Sequence, residues 1–132
     1  FSVPLAAAVG RSGSVVCVES APSAAQDARV NLAGYDFAEV LQLPVDPGLL
    51  GEILEDADAL VLDPPRSGVD AKSLRVIAES DVERIVMVSC NPATFARDLK
   101  GLFDGGYRLQ ELRAFDLFEM TEHVEVVGLL TR

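Results

Sequence analysis

The sequence predicts an α/β fold built on a doubly wound, mostly parallel sheet. Two observations predict it: short apolar, β-rich runs recur along the chain, and segments with helical spacing of apolar residues separate most of them. The last two runs have no helix between them, so one of these strands is expected to be antiparallel. With 132 residues, the chain is expected to form one domain or a piece of one.

In the first half of the chain, the predicted strands cover residues 15–18, 37–43 and 57–62. Residues 20–33 form an Ala-rich helical segment, and Gly34 suits its C-terminal cap. Asp46 and Pro47 are typical of an N-cap and a first helical residue. The apolar residues that follow have helical spacing: Leu49, Leu50, Ile53 and Leu54.

In the second half, residues 63–68 form a turn that cannot be helical, because it contains consecutive prolines. Asp70 is predicted to cap the next helix. Residues 84–89 include a continuous apolar run, typical of a strand buried on both faces. Asn91 and Pro92 are expected to begin the last helix. The remaining predicted features are a helix end at Gly105 and Gly106 and strands at 107–118 and 123–130.

Charge and cysteine content exclude several classes of protein. The net charge of −10 repels nucleic acid at long range, so any such contact must be local or supplied by another domain. No run reaches the roughly 18–20 apolar residues of a membrane span. Cys17 and Cys90 form no CxxC pair, which disfavours a zinc ribbon or a disulfide scaffold and predicts a reducing, cytoplasmic location. No metal-ligand cluster surrounds His123, so no metal site is predicted.

Polar residues follow three predicted strands, at the carboxyl ends where open α/β sheets bind ligands. They are Glu19, Asp63 and Cys90. Parallel strands would bring all three to one edge of the sheet. Glu19 stands where nucleotide-binding folds hold ribose hydroxyls. It is equally well explained as a surface carboxylate beside a helix N-terminus.

Cys90 lies between a predicted buried strand and a predicted helix N-terminus. The positive end of a helix stabilises a thiolate, so Cys90 is placed to act as a nucleophile. A buried structural cysteine is the alternative. Cys17 lies among valines in mid-strand and is assigned to that structural class.

The turn that begins at Asp63 is made stiff by Pro64 and Pro65 and can hold a flat base, or it is a purely structural turn. Methyltransferases that act on amino groups carry a related turn with an aromatic fourth residue, and Arg66 at this position disfavours that class. In the last strand, period-2 alternation makes His123 and Glu125 face the same way. By spacing alone, an exposed strand edge explains them better than a catalytic base does.

Three segments occur in order: Asp-Pro-Pro-Arg-Ser-Gly at 63–68, Val-Ser-Cys-Asn-Pro-Ala-Thr-Phe-Ala-Arg-Asp-Leu at 88–99 and His-Val-Glu at 123–125. Together they resemble the RNA 5-methyluridine methyltransferase family, which methylates uracil C5 in tRNA or ribosomal RNA with S-adenosylmethionine. The resemblance extends over essentially the whole chain. It implies that residues 1–132 are the C-terminal part of a Rossmann-like catalytic domain, with the first strand and its Gly-rich turn missing.

The resemblance also implies roles for individual residues. Cys90 is expected to add to C6 of the uracil, and Glu125 to remove the C5 proton. Glu19 is expected to bind the ribose of S-adenosylmethionine, and Asp63 to lie at the pocket for the cofactor and the target base. The substrate-binding residues are expected in the same turn: Pro64 and Arg66. The RNA itself would be held by a module outside this chain.

Three further hypotheses stay open. A non-catalytic α/β remnant would fold without turnover, and a homodimer would cover the sheet edge left by the missing strand. A cytosine-C5 enzyme would share the attack by Cys90, but Glu125 suits a base with an exocyclic amine less well. A small-molecule or protein methyltransferase of the same fold would not need the pair of Cys90 and Glu125.

Overall fold

The computed structural model describes residues 1–117, 120–121 and 124–132. The chain divides into two compact units, residues 1–46 and 47–132. Within the described residues, no helix is both long and apolar enough to span a lipid bilayer.

The first unit contains two helices and a two-stranded parallel sheet. Its elements are α1 (Ser2–Val9), a 3₁₀ turn (Gly10–Ser12), β1 (Val15–Val18), α2 (Pro22–Leu32) and β2 (Ala38–Leu41). Val15 pairs with Ala38 and Val18 with Leu41. The ladder continues past β1, because the Glu19 N–H donates to the Leu41 carbonyl at 3.0 Å. Glu19 is therefore fixed at the carboxyl end of β1.

The second unit contains three helices and a four-stranded sheet in the order β3-β4-β6-β5. Its elements are α3 (Pro47–Leu54), β3 (Ala59–Leu62), α4 (Ala71–Glu79), β4 (Arg84–Ser89), α5 (Pro92–Asp104), β5 (Arg108–Phe115) and β6 (Glu125–Thr131). β3 is parallel to β4, whereas β6 is antiparallel to both β4 and β5. Three strands of this sheet therefore run in one direction and β6 alone runs in the other.

Apolar side chains on one face of the sheet form the core of the second unit. Ile85 of β4 and Leu130 of β6 face each other and are fully buried. α5 contacts both β4 and β6. A Cβ atom on Gly128 would lie 2.8 Å from the ring of Phe95, so the absence of a side chain there lets α5 pack closely on β6. This packing fixes the N-terminal half of α5 over the sheet.

The structure confirms the alternation of strands and helices and the antiparallel C-terminal strand. Three predicted strands are shorter than expected: Ala38–Leu41 replaces 37–43, Ala59–Leu62 replaces 57–62, and Arg108–Phe115 replaces 107–118. The cap predicted at Gly34 was wrong, because the Ala33 N–H bonds to the Val30 carbonyl and ends α2 one residue earlier.

Two further differences concern burial and the start of the chain. Val86 in β4 is only half-buried, so burial of this strand on both faces is incomplete. Helix α1 was not predicted, because its residues are nearly all apolar and give no one-sided helical pattern. In the described part of the chain, β1 pairs only with β2 and β3 only with β4. A homodimer through such an edge stays a prediction.

Helix α4 begins at the predicted cap. Asp70 Oδ1 accepts hydrogen bonds from the N–H groups of Lys72 at 3.0 Å and Ser73 at 3.1 Å. The Ser73 hydroxyl beside this carboxylate, together with the two N–H groups, lowers the pKa of Asp70 below its ordinary value of 3.8. The ionised form is therefore favoured in the folded chain.

We expect Asp70→Ala to lower the melting temperature at neutral pH, and Asp70→Asn to retain most of it because an amide oxygen also caps a helix. A carboxyl group whose pKa is lowered by folding stabilises the chain above its unfolded pKa, and this stabilisation is lost as the pH falls through the folded value. The advantage of Asp70 over Asn should therefore begin to decline below pH 3.8 and disappear once the pH has fallen through the lower folded pKa. Thermal unfolding followed by circular dichroism measures this, and equal melting temperatures for Asp70→Ala and wild type would contradict it.

Candidate active site

Cys90 and Glu125 lie next to the last residue pair of β4 and β6, at one edge of the four-stranded sheet. Ser89, the last residue of β4, pairs with Val126 of β6. One position further, Cys90 follows β4 and Glu125 begins β6. Both side chains are half-buried, so this edge of the sheet holds a thiol and a carboxyl group that solvent can still reach.

Asp63 lies at the same edge. Leu62 of β3 pairs with Met87 of β4 in the parallel ladder, and Asp63 follows directly. Its register position is therefore level with the end of β4, two residues before Cys90. The side chains of Asp63 and Arg66 are exposed, and Pro64 is half-buried. Asp63 and Cys90 therefore lie at the same edge of the sheet, as predicted for residues that follow parallel strands. Glu125, at the start of β6, lies at this edge as well.

The backbone around Cys90 is held by a buried hydroxyl group. Ser89 Oγ accepts a hydrogen bond from the Asn91 N–H at 3.1 Å and donates one to the Asn91 carbonyl at 3.2 Å. The Ser89 side chain is buried. Cys90 lies between these two linked residues, so its backbone is restrained on both sides. This role of Ser89 was not predicted, because serine is common at strand ends and its presence there indicates no particular contact.

Helix α5 begins immediately after Cys90. The Asn91 Oδ1 atom accepts hydrogen bonds from the N–H groups of Ala93 at 3.0 Å and Thr94 at 3.4 Å. Pro92 occupies the first helical turn. The predicted N-cap is confirmed. The N-terminus of a helix carries partial positive charge, which favours a negatively charged group nearby.

The turn after β3 is hydrogen-bonded to α5. The Arg66 carbonyl accepts from Asn91 Nδ2 and from Thr94 Oγ1, both at 3.2 Å. The Gly68 N–H donates to the Pro65 carbonyl at 2.8 Å and closes the turn. The turn at residues 63–68 and the start of α5 are therefore joined by hydrogen bonds, although they are about 25 residues apart in the chain.

Glu19 belongs to the first unit, at the carboxyl end of β1. Its Oε1 atom accepts a hydrogen bond from the Ala21 N–H at 2.7 Å, just before α2. This contact agrees with the interpretation of Glu19 as a carboxylate beside a helix N-terminus. A carboxylate is also a pure acceptor with capacity for several bonds, which suits ribose hydroxyls. Binding of the cofactor ribose by Glu19 stays a prediction.

The remaining candidate residues are His123 and Cys17. His123 lies outside the described residues. Cys17 is a free, half-buried cysteine in β1. Among residues 1–117, 120–121 and 124–132, no cluster of three or more His, Cys, Asp or Glu side chains is arranged to hold a metal ion.

A family model described as tRNA (Uracil-5-)-methyltransferase matches residues 52–132. This range contains the turn at Asp63, Cys90 and Glu125. The chain belongs to the tRNA (uracil-5-)-methyltransferase family. Enzymes of this family use S-adenosylmethionine, and the resemblance noted in the sequence is confirmed.

Similar proteins extend over nearly all of the chain. It is 44% identical over 130 residues to an uncharacterized RNA methyltransferase of Streptomyces coelicolor, covering 98% of the chain and 28% of that relative. It is 42% identical over 130 residues to an uncharacterized RNA methyltransferase of Streptomyces avermitilis, covering 98% of the chain and 30% of the relative. The chain therefore spans less than a third of the length of these relatives.

Solved structures confirm a Rossmann-like methyltransferase fold. The tRNA (uracil-54, C5)-methyltransferase of Pyrococcus abyssi, in complex with S-adenosyl-L-homocysteine, superposes with a TM-score of 0.75 at 33% identity and covers 99% of this chain and 31% of its own. An S-adenosylmethionine-dependent O-methyltransferase of Thermotoga maritima gives a TM-score of 0.67 at 22% identity, covering 97% and 53%. The second similarity concerns the fold alone.

We expect Gly68→Ala to destabilise the chain and to displace the turn. Gly68 has a φ of +77°, and an added Cβ would overlap the Arg97 guanidinium and the Asp98 carboxylate. The left-handed conformation alone costs about 1–2 kcal/mol for an L-residue, and the overlap adds to it. Gly106→Ala is the matched control, because Gly106 has a φ of +94° with open space around its Cβ position. Urea denaturation of both variants measures the difference, and equal losses would contradict the overlap.

Proposed function

We propose that the complete protein transfers a methyl group from S-adenosylmethionine to C5 of a uridine in tRNA or ribosomal RNA, through a covalent bond between Cys90 and C6. The observation that carries this proposal is the position of Cys90 and Glu125 on either side of the pair of Ser89 and Val126, where β4 ends and β6 begins. Membership of the tRNA (uracil-5-)-methyltransferase family supports it. The uracil-C5 methyltransferase of Pyrococcus abyssi, with the same fold at 33% identity, supports the choice of base.

Cys90 acts first, as the nucleophile. Its thiolate forms a bond to C6, and the electron pair of the C5–C6 double bond moves to C5 and the C4 carbonyl oxygen. C5 thereby becomes nucleophilic, which an unmodified uracil is not. Cys90 lies directly before α5, and its half-buried side chain stays within reach of solvent.

S-adenosylmethionine supplies a methyl group on a positively charged sulfur, and C5 takes this methyl group as the sulfur–carbon bond breaks. Glu125 then removes the proton from C5 as a general base. The released electron pair restores the C5–C6 double bond and expels the thiolate of Cys90. The position of Cys90 after β4 and of Glu125 at the start of the adjoining β6 supports their action on the same pyrimidine ring.

The chain offers groups that fit the cofactor and the base. The half-buried Glu19 has its carboxylate oriented by the Ala21 N–H and provides acceptors for ribose hydroxyls. Asp63 is proposed to lie at the pocket for the cofactor and the base, with Pro64 as a rigid wall beside it. Arg66 is exposed, so its cation is available for an RNA phosphate despite the net charge of −10. A pocket of this kind requires the uracil to be turned out of its stack.

We expect Cys90→Ala to abolish methyl transfer by the complete protein, because C5 is no longer activated. Incorporation of labelled methyl groups into unmodified tRNA and ribosomal RNA transcripts measures this, and nucleoside analysis identifies the product. Cys17→Ala is the matched control and should retain transfer, since Cys17 lies in the middle of β1. Normal turnover by Cys90→Ala would refute the nucleophilic role. Formation of 5-methylcytidine instead of 5-methyluridine would refute the choice of base.

We expect Glu125→Gln to accumulate a methylated protein–RNA adduct, because the C5 proton is not removed and Cys90 cannot leave. The turnover rate should fall by about 10²–10⁴-fold, the usual contribution of a general base. A denaturing gel that separates cross-linked protein from free protein measures the adduct. The double variant Cys90→Ala/Glu125→Gln should form none. Intact methylation without an adduct would contradict the assignment of Glu125.

A further inference from the structure

We propose that Arg97 and Asp98 are positioning residues, which hold the turn of residues 63–69 at a set distance from Cys90. The inference rests on the proposed function, because that function makes the turn and the thiol parts of one site. Arg97 and Asp98 lie in the middle of α5, away from the sheet edge, and the turn is the segment they bind. Neither residue is assigned a contact with the uracil or with the cofactor.

Asp98 is a fully buried carboxylate whose two oxygens are both hydrogen-bonded. Its Oδ2 atom accepts from the Val69 N–H at 2.8 Å. Its Oδ1 atom accepts from Arg97 Nε at 2.8 Å and from Arg97 Nη2 at 2.6 Å. A buried charge needs such partners, because an unpaired one is very costly. The carboxylate therefore ties the end of the turn to α5.

Arg97 binds the same turn from the solvent side. Its Nη2 atom donates to the Ser67 carbonyl at 2.9 Å and to the Val69 carbonyl at 3.2 Å. The guanidinium fork presents several donors in a fixed plane, which the single ammonium of lysine does not reproduce. One side chain thus joins two carbonyl groups of the turn to the buried carboxylate of Asp98.

These contacts extend those of Asn91 and Thr94 along one face of α5. The Arg66 carbonyl binds the first turn of the helix, and residues 67–69 bind its middle. Because α5 starts directly after Cys90, the helix is a rigid link between the thiol and the turn that carries Asp63 and Arg66. Gly68 allows the close approach, since any side chain there would overlap the pair.

The energetics favour a geometric role over a stabilising one. Asp98 is fully buried, whereas the side chain of Arg97 is 55% exposed and keeps much of its hydration. Such a pair contributes little net stability, because the carboxylate loses its hydration on burial and solvent screens the guanidinium. It does impose directional bonds, and here five of them converge on Arg97, Asp98 and the turn. A displacement of about 1 Å in a reacting group can cost about 100-fold in rate. The pair is therefore suited to setting the distance between Cys90 and the residues of the turn.

Kinetics and hydrogen exchange of the complete protein test this inference. Arg97→Gln should lower kcat/KM for RNA by roughly 10–100-fold and should slow the Cys90-dependent adduct with 5-fluorouridine RNA. In that RNA, fluorine replaces the C5 proton and the adduct cannot resolve. Arg97→Lys should recover part of the loss, because it keeps the charge beside Asp98.

The matched control is Lys100→Gln, which removes an exposed cation from the same helix and should behave as wild type. Asp98→Asn is a further variant, which keeps an acceptor for Val69.

Amide exchange separates a positioning role from general destabilisation. In Arg97→Gln, the backbone amides of Gly68 and Val69 should exchange at least about tenfold faster, while those of β4 and β6 stay protected. Wild-type rates and wild-type exchange in Arg97→Gln would overturn the inference. So would a rate loss that merely follows a loss of folded protein. If the wild type methylates a base other than uracil, the proposed function fails, and the ratio of variant to wild-type rates on that base still decides the role of Arg97.

Discussion

The antiparallel pairing of β6 with β4 is the constraint on which the candidate site depends. β6 runs against β4, and its second residue, Val126, pairs with Ser89, the last residue of β4. Its register is fixed by burial, because Ile85 and Leu130 face each other in the core. A slip by one residue would turn the apolar side chains of β6 away from the core. The same packing energy that stabilises the sheet therefore places the first residue of β6, Glu125, at the edge where Cys90 follows β4.

Helix α5 supplies the second constraint. The N-terminus of α5 is capped by Asn91. The ring of Phe95, in the same helix, packs against β6 at Gly128, where there is no side chain. The polar face of the helix binds the turn after β3. The exposed side chains of Asp63 and Arg66 thus project from backbone that is hydrogen-bonded to a buried element. This arrangement combines solvent access with a fixed geometry, as a catalytic site requires.

Candidate site residues occur in both units of the chain. The segment matched by the tRNA (uracil-5-)-methyltransferase model, residues 52–132, lies within the second unit, which contains Cys90, Asp63 and Glu125. The first unit contributes Glu19, the candidate for the ribose of the cofactor. The chain has 21 acidic and 11 basic residues, so its overall field opposes RNA. Under the proposed function, RNA would therefore be bound through local contacts or other segments.

The sequence by itself determined the order of strands and helices from β1 onward, the caps at Asp70 and Asn91, and the candidate residues, because these follow from periodicity, local hydrogen bonding and recognisable segments. It did not determine the close approach of residues distant in the chain. By spacing alone, Glu125 belonged to an exposed strand edge, and only the register of β6 placed it at the end of the sheet where Cys90 follows β4. The contacts of Arg97 and Asp98 with the turn were equally hidden, since the partners are about 30 residues apart. Tertiary packing decides such contacts, because they depend on how the whole core fits together.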